Sequence, residues 1–214
     1  MNVIISIENV TKVFGEDIVL QNVTREFEEG KIHGIVGNNG SGKTVLMKCI
    51  CGFYQPSEGR IFVNYKEIGK DVDFPEDIGI IIETPGFLPS VTGKKNLQIL
   101  ASLNRKIDKK TIEATIENVG LDPNLKKPVS KYSLGMRQRL GIAQAIMEDP
   151  SLLILDEPFN GLDKHGVAQM RTLLDDLRSR GKTILLASHN QADIDILCDT
   201  VCEMDAGVMT MVRG

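Results

Sequence analysis

An α/β fold, with an antiparallel flank at its start and an all-helical lobe inserted into it, is predicted from three features of the 214-residue chain. Short continuous apolar runs, IHGIV (32–36), IGIII (78–82), SLLIL (151–155) and TILLA (183–187), have the length and bounding turn residues of strands buried on both faces of a parallel sheet. Helix-length amphipathic segments fall between them. Residues 1–30 instead alternate in polarity at period two, the pattern of strands with one wet face.

Taken in order, VIISIENV, DIVLQNV and TREFEEGKI supply the flank, broken by Gly15 and Gly30. A helix over 43–52 follows the glycine-rich turn that ends the IHGIV strand. Residues 88–148 carry no strand-like run. There Asp108 can cap a helix bearing Ile112, Ile116 and Val119 on one stripe and stopped by Gly120. Behind Ser133 a second helix shows Met136, Leu140, Ala143 and Met147 on one face. The expected division is therefore 1–87 and 149–214 for the two parts of the α/β core, with 88–148 as the inserted helical subdomain. Helices over 164–180, ended by Gly181, and over 190–198, behind Asn190, flank the TILLA strand. No internal repeat or low-complexity tract is present.

Composition narrows the function. Hydrophobic residues at 42% and charged residues at 25% are ordinary for a globular chain. A formal charge of −4 argues against a protein that grips nucleic acid through a broad basic face. The N-terminus, MNVIISIENVTKVFG, has no basic start and carries Glu8, so it does not read as a signal peptide and the protein is expected to stay inside the cell. No apolar run approaches the ~20 residues needed to span a bilayer. Cys49, Cys51, Cys198 and Cys202 lie inside apolar stretches and read as reduced, mostly buried thiols rather than disulfides or zinc ligands.

Gly37, Asn38, Asn39, Gly40, Ser41, Gly42, Lys43 and Thr44 match G-x-x-x-x-G-K-[ST], placed between a buried strand and a helix. The glycines let successive backbone N–H groups turn inward, and the helix beginning near Lys43 adds its partial positive end. Two or more phosphates fit such a cradle. Lys43 supplies charge to the β and γ phosphates, and the Thr44 hydroxyl can ligate Mg²⁺. In LLILDEP the strand delivers Asp156 to the carboxyl edge of the sheet, with Glu157 at a turn fixed by Pro158. Two acids ending a strand are often only a solvated turn. Beside a phosphate cradle they become a metal holder, Asp156, and an activator of the attacking water, Glu157. TILLASHN brings His189 to the same edge, where it can reach a terminal phosphate or equally serve as a loop cap. In YSLGMRQRLGIAQA, Ser133 and Gly135 form a second candidate anion site at a helix N-terminus.

With these motifs in place the chain resembles the nucleotide-binding subunits of ATP-binding cassette (ABC) transporters over nearly its whole length. The resemblance implies a P-loop NTPase (RecA-like) core and ATP hydrolysis with Mg²⁺. It matches the phosphate loop at 37–44, the acidic motif at 152–157, a D-loop NGLD at 160–163 that makes Asp163 a nucleotide-site residue, and the switch histidine His189. Phe14 stands where the family has an aromatic that stacks on adenine; from the residues alone it reads as core. The signature LSGGQ is replaced around Ser133 and Gly135, with Tyr132, Leu134 and Met136 in place of Leu, Gly and Gln. Asn38 stands where a proline is frequent. Glu83, in IIETPGFLPSVTGKKNL, occupies the place of the family's glutamine and is expected to reach the metal; this segment is similar to ATPases of antibiotic-peptide and bacitracin-type exporters.

The resemblance further implies that two copies, or this chain and a related subunit, pair head-to-tail around two ATPs, each Ser133 end roofing the other's cradle. It implies a separate transmembrane permease, peripheral attachment to the inner face of the membrane, and no nucleic-acid partner. The permease is expected to dock around 84–92 and 125–132, on Phe87, Leu88 and Tyr132 beside Lys126, Lys127 and Lys131. The exporter-like Glu83 segment and the chain end soon after DTVCEMDAGVMTMVRG favour export over import. The alternative is a non-transport ABC ATPase acting on nucleic acid or the ribosome; a nucleotide switch without hydrolysis is disfavoured by Glu157 and His189.

Overall fold

β1 (Val3–Phe14) and β2 (Asp17–Glu28) pair antiparallel through a two-residue turn in which Gly15 has φ +61, the left-handed conformation tight hairpins need. The structure is a computed structural model describing residues 2–104 and 106–214. DIVLQNV and TREFEE form one continuous strand rather than two, with Asn22 absorbing the irregularity at φ 48. After β3 (Ile32–Val36) and α1 (Lys43–Ile50), the chain returns to the flank as β4 (Glu58–Val63) and β5 (Lys66–Glu67), completing a sheet of order β2-β1-β4-β5. EGRIFV is too short and too exposed at its start to show period-two alternation, so this half of the flank is set by pairing with β1.

The remaining strands and α-helices are β6 (Ile78–Ile81), α2 (Gly93–Asn104), α3 (Lys109–Asn118), α4 (Leu134–Ile146), β7 (Leu152–Asp156), α5 (Lys164–Ser179), β8 (Thr183–Ala187), α6 (Gln191–Leu197), β9 (Thr200–Asp205) and β10 (Val208–Arg213). The second sheet has the order β10-β9-β3-β8-β7-β6, parallel throughout except for β10. Alternation along its strands divides the core in two. Leu152, Ile154, Leu185 and Ala187 face α1 and the antiparallel sheet, packing with Leu46, Met47, Ile50, Ile5 and Phe27. Leu153, Leu155, Ile184 and Leu186 face the other helices. All four cysteines are free and buried in these cores, and burial pushes the thiols up, Cys49 to about 11 and Cys51 and Cys198 to about 12.

Between β6 and β7 come α2, α3 and α4. Asp108 caps α3 by accepting from Thr111 N at 2.8 Å, and Ile112, Ile116 and Val119 are buried with Leu140, Ala143 and Met147. α2 starts behind Thr92, whose hydroxyl accepts from Lys95 N at 3.2 Å, and it buries little beyond Leu97 and Ala101, which is why its stripe is faint in the sequence. Tyr132 corrects one expectation. It is buried rather than part of a docking surface, and its hydroxyl accepts from Gly93 N at 3.3 Å, so the ring ties the start of α2 to the segment entering α4. Leu88 remains 52% exposed and Phe87 is half-buried. No helix among the described residues is long and apolar enough to cross a membrane.

Candidate functional site

The strand order places four carboxyl ends side by side, those of β3, β8, β7 and β6. Ligands in open α/β sheets collect at such an edge. From β3 leads the glycine-rich loop, from β8 His189, from β7 Asp156 and Glu157, from β6 Glu83. A cleft of about 500 Å³ opens there, lined among others by Gly40, Gly42, Lys43, Thr44, Glu83, Asp156 and Glu157.

The loop is built by its glycines. Gly37, Gly40 and Gly42 have φ of +146, +81 and +108, a region that costs any side chain, and a Cβ at Gly37 would stand 2.1 Å from the Met204 carbonyl. Gly42 is the N-cap of α1 and offers no side chain to its free N–H groups. Lys43 is buried, its ammonium donating to the carbonyls of Gly37 and Asn38 at 2.7 and 2.9 Å, and so curls the loop around itself. The Ser41 hydroxyl is buried without a hydrogen-bond partner. Such an orphan costs about 1–3 kcal/mol, and a phosphate oxygen would satisfy it.

Thr44 Oγ1 donates to Asp156 Oδ2 at 2.6 Å across 112 residues of sequence. Burial raises the Asp156 carboxyl above its ordinary value; Thr44 and Lys43 lower it, while Glu157 and Glu83 raise it further. A hard divalent cation would relieve that stress, and the hydroxyl and carboxylate oxygens present are the donors Mg²⁺ takes. The residues therefore fit the metal. Glu157 sits at φ +50, a conformation non-glycine residues seldom hold unless surrounding structure imposes it. Its N–H donates to Ala187 O at 2.9 Å, and its carbonyl accepts from the buried Gln138 Nε2 at 3.3 Å. Its carboxylate accepts from His189 N at 3.0 Å and from His189 Nδ1 at 2.8 Å, so the imidazole carries its proton on Nδ1. His189 thus orients Glu157. Glu83, also in the left-handed region at φ +60, accepts through Oε1 from Lys48 at 2.6 Å.

Other expected residues lie around this centre. Phe14 is 39% exposed and so is not core; it meets Tyr54 edge-on at 5.2 Å, with Lys12 Nζ 4.8 Å from its ring centre. Asn38 and Asn39 are exposed in the loop. Ser133 caps α4 by accepting from Met136 N at 3.2 Å. Gly135 lies against the D-loop, where a Cβ would stand 2.7 Å from Gly161 O. Asp163 caps α5, accepting from Gly166 N at 2.7 Å. Phe14, Ser133, Gly135, Asp163 and His189 are not among the residues lining the cleft, whereas Leu134, Gln138 and Asn160, which lie in the signature and D-loop segments without being singled out there as site residues, are. The only sequence hint for Gln138 is an amide among the inward apolar positions of α4.

The model of the family described as ABC transporter matches residues 20–160. An uncharacterized ABC transporter ATP-binding protein of Bacillus subtilis, YybJ, is 42% identical over 95% of this chain and 93% of its own length. The bacitracin transport ATP-binding protein BcrA of Enterococcus faecalis is 44% identical over 97% of this chain and 68% of its own length. Among solved structures, the dimeric MJ0796, a bacterial ABC transporter cassette, superposes with a TM-score of 0.87 at 23% identity, covering 98% of this chain and 99% of that one, and so shares the fold.

Proposed function

The chain belongs to the ABC transporter family, as one of its ATP-hydrolysing subunits, and on that premise we propose that the cleft at the sheet edge holds Mg²⁺ and ATP and that its hydrolysis drives export through a separate permease. The loop N–H groups, the Ser41 hydroxyl and Lys43 grip the phosphates. Thr44 and Asp156 hold the metal, with Glu83 beside them. Magnesium held there would supply positive charge against the negative charge of the phosphates. Glu157, oriented by His189, takes or aligns the proton of the attacking water. To donate to the γ-phosphate, His189 would have to turn its Nδ1–H away from Glu157. Phe14 offers its exposed ring to the base.

Ser133 and Gly135 do not line the cleft of their own chain, although Leu134 between them does, and their use on a second cleft, in another copy or a related subunit, is what the family resemblance implies. Asp163, at the D-loop between the two ends, would then sit near the seam. A permease partner and attachment to the inner membrane face follow from the transport role. The relation to a bacitracin transport protein, together with Glu83, favours a peptide-antibiotic-like cargo moving outward.

The observation that carries this reading is the pair of long-range bonds within the chain, Thr44 to Asp156 and His189 to Glu157, which bring four expected residues into two pairs. Purified protein is expected to release phosphate from MgATP. Glu157→Gln should stop release yet let MgATP drive pairing on gel filtration. Release by Glu157→Gln at the unsubstituted rate, or no pairing under any MgATP concentration, would sink the proposal.

A further inference from the structure

Lys48 lies one helical turn beyond Thr44 on α1, with a side chain only 18% exposed, and its ammonium donates to Glu83 Oε1 at 2.6 Å. The ammonium also stands 5.4 Å from the centre of the Tyr54 ring. Tyr54 in turn packs edge-on against Phe14. The Tyr54 ring, itself braced by Phe14, thus backs the lysine, while the Glu83 carboxylate is 62% exposed. No hydrogen bond to Glu83 Oε2 exists among the described residues. Glu83 raises the Asp156 carboxyl, so its charge is felt at the metal end of the cleft.

With its carboxylate largely in solvent, an ion pair of this kind adds little to fold stability. Its value lies in geometry and local charge. A carboxylate swings freely about its bonds, and a third acid beside Asp156 and Glu157 would draw a divalent cation strongly while repelling phosphate. The Lys48 bond fixes one oxygen and offsets one charge, leaving the other oxygen available.

Resting on the reading of the cleft as a metal–nucleotide site, we propose that Lys48 is a positioning residue acting through Glu83, and that the Lys48–Glu83 pair sets how strongly the site captures magnesium. Removing the lysine unmasks the carboxylate and tightens metal capture; removing the carboxylate weakens it and leaves the lysine with nothing to act through.

The test is a fluorescence titration of mant-ATP binding with Mg²⁺, on a Glu157→Gln background so that nucleotide is not consumed, with thermal melts confirming that each variant folds. Lys48→Met is expected to lower the half-saturating Mg²⁺ several-fold, and Lys48→Arg to leave it near the starting value. Glu83→Gln should raise it several-fold, and Lys48→Met/Glu83→Gln should match Glu83→Gln alone. A Lys48→Met shift of equal size with and without Glu83 would overturn the inference, because the lysine would then act directly on the nucleotide. No shift in Lys48→Met would overturn it equally. Binding of mant-ATP that ignores Mg²⁺ already on the starting background would instead overturn the metal–nucleotide reading itself.

Discussion

Two helix N-termini in this chain are capped in opposite ways. α1 begins behind Gly42, at φ +108, with no side chain on its free N–H groups and with a buried, unpartnered hydroxyl next door at Ser41. α4 begins behind Ser133, whose oxygen already accepts from Met136 N. α3, α5 and α6 are closed the same way by Asp108, Asp163 and Asn190. The contrast teaches that an exposed helix end and an anion site are different things. α1 is left open at a cost to the fold, which a bound anion would offset; α4 is self-sufficient, and only the Ser133 hydroxyl proton remains to donate to something outside the chain.

The largest effect tests the chemistry served by both ends. Glu157→Gln keeps both helix ends and should lower phosphate release by about 10²- to 10⁴-fold, the range for losing a general base, with mant-ATP affinity unchanged; affinity that collapses with turnover would mean that Glu157 builds the pocket rather than activating water. Next comes the open end itself. Gly37→Ala drives a Cβ to 2.1 Å from the Met204 carbonyl, so the loop must rebuild, and nucleotide binding should be lost together with several degrees of melting temperature. Gly40→Ala meets nothing within 4 Å and suffers only its φ of +81, about 1–2 kcal/mol by urea unfolding.

The two serines sharpen the comparison directly. Ser133→Ala removes a working cap and should cost about 0.5–2 kcal/mol of stability, abolishing MgATP-driven pairing while a single copy still binds nucleotide. Ser41→Ala removes a partnerless hydroxyl and should leave stability unchanged or higher, while nucleotide affinity falls. Exchanged phenotypes would break the distinction between the ends.

The smallest effect comes from His33, buried beneath the flank and remote from both helix ends. Nε2–H donates to Glu28 O at 2.8 Å, Nδ1 faces the Thr200 hydroxyl at 2.7 Å, and burial holds the imidazole below its ordinary 6.5. The unfolded chain binds that proton more readily than the folded one. Stability from this group is therefore complete above about pH 6.5 and is lost as pH falls from there toward the depressed folded value. Urea midpoints should drop between pH 7 and 5, and His33→Asn should flatten that slope.

Much of this was legible because it is local. The G-x-x-x-x-G-K-T loop, the apolar runs ending in Asp156 and His189, and the stripes of α3 and α4 depend on turn chemistry and side-chain period within a few residues. The elements that escaped are those whose existence depends on a distant partner: β4 on β1, β9 on β3, and α2 on the α3–α4 pair it half covers. Tyr132 looks like a surface aromatic beside Lys131 until the Gly93 N–H comes to meet its hydroxyl.

By itself the sequence determined which groups the site owns: a cradle that only glycines can form, a lysine and threonine at fixed offsets from it, and acids at the ends of buried strands. The tertiary structure alone decided which of them touch. The order β10-β9-β3-β8-β7-β6 joins strand ends far apart in the chain, so Thr44 meets Asp156, Glu157 meets His189, and Lys48 meets Glu83. The physical reason is that hydrogen bonds and Coulomb forces act over a few ångströms, and sequence period fixes which way a side chain faces but not which neighbour the sheet places there.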